Sequence, residues 1–223
     1  MFASLIDPIR DWATTNGLVS PSKPVRRLFD RVQARILLSG LDAAGKTTIL
    51  ANHLSRDGAM DVETVVPFIG FSIERLRYGL VHFETLDLGG GRKSYKQEKR
   101  LFLTADALVW VIDSCDHERI VESAEELQLL LRHDEDEGRK NVPVLLLVNK
   151  QGLRSRNGMK NVTVTEVKSQ FIECTKAFSG RSWHVEATDG ITGLGLLEAF
   201  SWLQDELNTR NKHSDEREMV QVH

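Results

Sequence analysis

"GLDAAGKTTIL", residues 40–50, decides how this chain is read. Gly40, Gly45, Lys46 and Thr47 stand at the spacing G-x-x-x-x-G-K-[ST]. That spacing makes a glycine-rich turn whose backbone N–H groups surround phosphate oxygens while the lysine reaches the outer phosphates. The apolar run RILLS, 35–39, reads as a buried strand ahead of the turn, and KTTILANHL, 46–54, as the helix leaving it. A strand, a turn and a helix in that order are the context the motif needs, and the helix start adds to the anion site. Lys46 is therefore a candidate phosphate ligand, and Thr47 a hydroxyl donor to Mg2+.

Working outward, residues 71–78 and 81–88 read as a strand pair joined at Gly79, and DALVWVIDS (106–114), NVPVLLLVNK (141–150) and RSWHVEAT (181–188) as three further strands. Helical periodicity marks 118–132, 164–177 and 192–207. ALVWVI and VPVLLLV are almost continuously apolar, as strands become when helices cover both faces of a parallel sheet. The expected fold is α/β, a P-loop NTPase three-layer sandwich with a mostly parallel six-stranded sheet and helices on both faces. At 223 residues one domain is the default. The expected division is an amphipathic N-terminal arm and linker at 1–25, the domain at 26–207 and a polar C-terminal tail at 208–223. The tail is expected to be frayed or disordered unless a partner orders it. RHDEDEGRK, 132–140, reads as a solvated loop or as a partner site.

Composition narrows the partners. Lys plus Arg number 29 against 32 Asp plus Glu, a formal charge of -3, which gives no overall electrostatic reason to bind nucleic acid. Cys115 and Cys174 are spaced as neither a metal cluster nor a disulfide framework and read as reduced thiols. No apolar run is long enough to span a membrane, and the first residues lack a secretory pattern. The expectation is a soluble, cytoplasmic protein. In the arm, Phe2, Leu5, Ile6, Ile9 and Trp12 share roughly one helical face, with Pro8 awkward inside it. Asp7, Arg10 and Asp11 leave the arm near -1, poor for anionic lipid. Docking on its own domain or a partner groove, weak peripheral membrane contact and simple disorder are the readings open to it.

Three further positions are placed to act on a ligand. Asp87 ends a strand in LDLGG, 86–90, where a carboxylate reaches magnesium through water and the glycines, Gly90 among them, bring backbone near a terminal phosphate. The same residues also make an ordinary strand-end turn. Asn149 and Lys150 follow an apolar strand, a position suited to a base-binding loop outside the carboxyl ends of a parallel sheet. Ala187 and Thr188 follow another strand and complete such a pocket with backbone N–H groups, or simply form a sheet-to-helix loop.

GLDAAGKTTIL, PFIGFSIE (67–74), LDLGGGRK (86–93), VIDSCDHERI (111–120) and LLLVNKQG (145–152) resemble, in order, the motifs of the ADP-ribosylation-factor and ADP-ribosylation-factor-like small GTP-binding proteins. The resemblance covers roughly residues 30–207 plus the arm. It implies that Asp42, Ala43, Ala44, Gly45, Lys46, Thr47 and Thr48 form the phosphate-binding loop. It likewise implies that Asp87 and Gly90 are the second switch's magnesium-linked and γ-phosphate-sensing positions, that Asn149, Lys150 and Ala187 contact guanine, and that the ligands are GTP or GDP with Mg2+. The family binds effectors in the GTP state, frequently in membrane traffic or ciliary transport.

The chain departs from that pattern at several places. The family's first switch reads P-T-[IV]-G, but here PFIG puts Phe68 where a magnesium-binding threonine is expected. The second switch reads W-D-x-G-G-Q, but LDLGGG puts Gly91 where glutamine orients the attacking water. N-K-x-D becomes NKQG, so Gly152 offers no carboxylate to guanine. Glu186 could replace that carboxylate, or Gly152→Asp could restore it. Leu86 and Leu101 replace aromatic residues beside Phe71, and Phe2 excludes N-myristoylation. No side chain is assigned a catalytic role. The expected function is a divergent GTP-binding protein that retains its nucleotide and serves as an interaction or assembly subunit, with weak or no hydrolysis. Its partners are the guanine nucleotide and other proteins, a large assembly among the candidates. The alternative is an active GTPase switch regulating membrane or ciliary trafficking.

Overall fold

A computed structural model describes residues 33–54, 62–68, 71–78, 81–88, 95–136, 142–152, 160–174, 178 and 180–221, with the backbone alone for 62–68, 71–78, 86–88, 95–97, 133–136, 172–174 and 212–221. The arm and linker, Gly90 and Gly91 lie outside the described residues.

One sheet contains β1 (Ala34–Ser39), β2 (Val62–Phe68), β3 (Phe71–Tyr78), β4 (Val81–Leu88), β5 (Ala107–Asp113), β6 (Val144–Asn149) and β7 (Trp183–Ala187), in the order β2-β3-β4-β1-β5-β6-β7. β1 runs parallel to β4 and β5, and β5, β6 and β7 continue in parallel. Only the β2-β3-β4 edge is antiparallel. The helices are α1 (Lys46–Ile49, continued by wider π turns over Leu50–Leu54), α2 (Tyr95–Phe102), α3 (Ile120–Asp136), α4 (Val164–Cys174) and α5 (Leu196–Gln221).

The alternation of strand side chains builds two cores. Ile36 and Leu38 pack with Ile49, Leu50, Phe200 and Leu203, while Leu37 faces the opposite side with Trp110, Leu127 and Phe171. Hence α1 and α5 cover one face of the sheet, and α2, α3 and α4 the other. Phe83 meets Phe200 edge to face at 6.4 Å, and Trp110 Nε1 donates to Ser123 Oγ at 3.0 Å. This is the three-layer architecture expected, and the continuous apolar runs are the strands buried on both faces.

Four details differ from the sequence reading. The sheet has seven strands rather than six: β2, VETVVPF, was missed. It carries Pro67, is paired on one side only, and has a register shift between Val65 and Phe68. Proline and irregular register are tolerated at an edge, and both weaken the alternation that identifies a strand. The tail is helical instead of frayed. No Gly or Pro falls between Leu196 and Gln221, and Ala199, Phe200, Leu203 and Leu207 anchor the helix to the core. The polar continuation holds no residue that stops a helix outright. α5 also starts at Leu196 rather than 192, because Gly193 and Gly195 hold φ of 84° and 70°. A Cβ on Gly195 would strike the Ala187 carbonyl oxygen. Finally, α3 runs on through 132–136, so the charged stretch begins as helix rather than loop.

Glu98 of α2 is a buried carboxyl that accepts a hydrogen bond from Ser39 Oγ at the end of β1. Burial pushes its pKa above the ordinary 4.5, with Glu126 adding repulsion, against the Ser39 hydrogen bond and the positive charge of Lys46. A carboxyl whose pKa is raised by folding favours the folded state only while protonated, so its cost emerges as pH rises above the unfolded value. We expect Glu98→Gln, which keeps an acceptor for Ser39, to raise the urea midpoint at pH 7. The two proteins should converge below pH 4.5, as measured by urea unfolding across pH.

Candidate functional site

The turn between β1 and α1 owes its shape to three left-handed residues, Gly40 at φ 132°, Ala43 at 58° and Gly45 at 100°. Glycine is required at both ends. A Cβ on Gly40 would enter the Val111 carbonyl oxygen of β5, and one on Gly45 would enter the Asn149 amide nitrogen. Lys46 is 4% exposed, and its Nζ donates to the carbonyls of Gly40 at 2.9 Å and Leu41 at 2.8 Å. The ammonium group is thus held inside the turn. Thr47 is exposed and Thr48 half-buried at the helix start. Backbone N–H groups, a held cation and a helix start together form an anion-receptive turn.

Asn149, at the end of β6 and 2% exposed, joins this turn to the far side of the site. Its Nδ2 donates to Ala44 O at 2.8 Å, and its Oδ1 accepts from Gly190 N at 2.9 Å. The chain then reverses through Lys150, a non-glycine residue at φ 69°. This aims Lys150 Nζ at Asp113 Oδ2, 2.6 Å away at the end of β5. Gln151 N donates to Thr188 O at 3.1 Å, and Thr188 N to Val148 O at 2.9 Å. So the carboxyl ends of β1, β5, β6 and β7 bring Asp42 to Thr48, Asn149, Lys150, Ala187 and Thr188 to one edge of the sheet. Asp87 is near the end of β4, opposite Ser72 of β3 in the backbone ladder, and Phe68 closes β2 opposite Phe71.

A threonine hydroxyl such as that of Thr47 and a carboxylate are oxygen donors that suit a hard divalent ion that keeps water and phosphate ligands; of Asp87 only the backbone is described. Phe68 adds no such donor. Among the described residues no cluster of three or more His, Cys, Asp or Glu forms a metal cage. Mg2+ bound through one or two protein oxygens plus phosphates needs none.

Two contacts were not foreseen. Arg119, ahead of α3, donates from Nη1 to Asp42 Oδ1 at 2.6 Å and from Nε to Asp116 Oδ2 at 2.7 Å. It bridges the phosphate-loop candidate to the loop after β5, and the two carboxylates raise its pKa further. The second contact corrects the reading of Glu186. Its carboxylate lies 3.1 Å from His184 Nε2, two residues back on the same face of β7, and does not serve Gly152. The carboxylate beside Gly152 belongs to Asp189, whose Oδ2 accepts from Gly152 N at 2.9 Å. A Cβ on Gly152 would run into that Oδ2, so Gly152→Asp alone cannot simply restore a missing group. The signal available in sequence was the Asp-Gly pair just after Ala187 and Thr188, a turn signature that does not say where its carboxylate points.

Cys115 is a half-buried thiol outside any disulfide, in weak contact with Asn161 Oδ1 at 3.7 Å and Lys150 O at 3.9 Å. Burial and the neighbouring Asp113 raise its pKa, which makes it a poor nucleophile. No helix among the described residues is long and apolar enough to cross a membrane.

With this geometry established, residues 22–207 match the model of the ADP-ribosylation factor family. Among solved structures, the chain is similar to the Arl6 BBS3 small GTPase of Trypanosoma brucei, determined with the bound nucleotide analogue GppNp. The two share 27% identity and a TM-score of 0.59, over 78% of this chain and 97% of that one.

Removing the Asn149 amide would leave the Ala44 carbonyl and the Gly190 N–H without partners in a buried setting. Asn149→Ala is expected to lower stability by about 2 to 4 kcal/mol in urea unfolding without added nucleotide. A change below ~0.5 kcal/mol would show that the amide is not a structural tie.

Proposed function

Because the chain belongs to the ADP-ribosylation factor family, we propose that it binds a guanine nucleotide with Mg2+ at residues 40–48 and acts as an interaction or assembly subunit with a long-lived triphosphate state. The observation that carries this is the complete anion-receptive turn, with Lys46 held inside it by two carbonyls and Asn149 bracing it from β6. In this reading Asp42 to Thr48 surround the phosphates, and Lys46 exchanges its carbonyl contacts for phosphate oxygens. Thr47, and Asp87 through water, would hold Mg2+, which would supply charge neutralisation at the phosphates. Gly90, outside the described residues, would offer its backbone N–H to the outermost phosphate. Asn149, Lys150, Ala187 and Thr188 line the base.

Slow hydrolysis is the finer part of the proposal. Phe68 supplies no hydroxyl to the metal and Gly91 no amide to orient water, so two groups that act on one transition state are absent. Loss of positioning of this kind costs several kcal/mol of barrier lowering. The second reading is an active switch in membrane or ciliary trafficking. It is favoured by the intact phosphate-loop geometry and by similarity to a protein described as a small GTPase.

Two measurements follow. Lys46→Ala should abolish measurable nucleotide affinity in calorimetry, whereas unchanged affinity would contradict the placement. Single-turnover hydrolysis of pre-bound GTP should run below the order of 10⁻⁴ per second. The double change Phe68→Thr with Gly91→Gln should accelerate it by more than the two single changes combined. Rapid hydrolysis by the unmodified protein would favour the active switch.

A further inference from the structure

We propose that Asp189, on the loop between β7 and α5, is the specificity-determining carboxylate of the base site, occupying from a different loop the place that Gly152 leaves empty. The inference rests on the nucleotide reading above and adds which residue selects the base.

Three observations carry it. First, Asp189 Oδ2 lies where a side chain on Gly152 would begin, so the carboxylate fills the space a residue-152 side chain would claim. Second, the next residue, Gly190, is hydrogen-bonded through its N–H to the Asn149 side chain. That places Asp189 in the same layer as the amide proposed to face the base. Third, Asp189 as a residue is 3% exposed and its carboxylate is fixed by three backbone donors: Ile191 N at 2.8 Å and Thr192 N at 3.1 Å on Oδ1, and Gly152 N at 2.9 Å on Oδ2. A carboxylate accepts about four hydrogen bonds, two per oxygen. Oδ1 is therefore saturated, and one acceptor position remains, on Oδ2 at the Gly152 side.

That inventory sets both the class of ligand and the strength of selection. Guanine presents two N–H donors on its N1 and 2-amino edge, whereas adenine presents an acceptor at N1 and no 2-amino group. A single remaining acceptor favours guanine by one hydrogen bond, a preference of about tenfold. It also explains why glycine suits position 152: a second carboxylate there would meet the first in both volume and charge.

The test uses the full-length protein, stripped of nucleotide and assayed by competition among GTP, ATP and XTP. The unmodified protein should prefer GTP to ATP about tenfold. In Asp189→Asn the amide nitrogen at the Oδ2 position faces the Gly152 N–H and turns a hydrogen toward the 2-oxo group of xanthine, so the GTP to XTP affinity ratio should fall about tenfold or more, over and above any loss common to all three nucleotides. Gly152→Asp combined with Asp189→Ser should keep the guanine preference, while Gly152→Asp alone should weaken it. Equal loss of all three nucleotides in Asp189→Asn would make Asp189 a loop staple and overturn the proposal. So would equal GTP and ATP affinity in the unmodified protein. Failure of every triphosphate to bind the unmodified protein would overturn the nucleotide reading itself, and this inference with it.

Discussion

The two hydrogen bonds of the Asn149 amide hold the site together. One end grips the Ala44 carbonyl and the other receives the Gly190 N–H, so a single buried side chain fixes the β1–α1 turn and the β7–α5 loop to the end of β6. The turn can approach that closely only because Gly45 has no Cβ to displace the amide nitrogen. The left-handed Lys150 that follows sends its side chain back to Asp113. Buried amides in low-dielectric surroundings must find their partners, so this geometry is specified by the same residues that would face a ligand. Stability and recognition are therefore not separable at Asn149.

Around that fixed centre the departures from the family pattern are unevenly placed. The rigid edge made by β1, β5, β6 and β7 keeps its turn, lysine and amide. The sequence departures at Phe68, which closes β2, and at Gly91, outside the described residues, fall elsewhere in the chain. Glu98 on α2, pointing to Ser39 at the base of the turn, adds a buried polar contact where two apolar side chains would pack at less cost. A ligand held by the first group while the second group contributes little chemistry is the physical content of a long-lived bound state.

Most of the sheet was legible because β5 and β6 are almost unbroken apolar runs, and the glycine-rich turn after β1 was legible because its spacing is a backbone requirement. β2 was not: an edge strand with Pro67 and an irregular register lacks the alternation on which recognition depends. The helical tail was also misread. Polar composition argues against burial but not against helix, and the anchor at Leu203 and Leu207 lies just upstream. Asn149 and Lys150 stand out in sequence from their place after a strand, and the fold ties them to Ala44 and Asp113, but the partner of Gly152 does not stand out. Glu186 and Asp189 are both acidic and three residues apart. Only the fold shows that one turns to His184 along β7, while the other, past the strand end, is drawn to the Gly152 N–H.

The central claim is that this chain holds a guanine nucleotide and turns it over slowly. The most direct measurement is the nucleotide released when freshly purified, unmodified protein is denatured and the supernatant is resolved by chromatography. Slow turnover predicts bound nucleoside triphosphate, with guanosine triphosphate the larger share. Predominant guanosine diphosphate would contradict slow turnover, and absence of any nucleotide, or adenine nucleotide in its place, would contradict the assignment of the ligand.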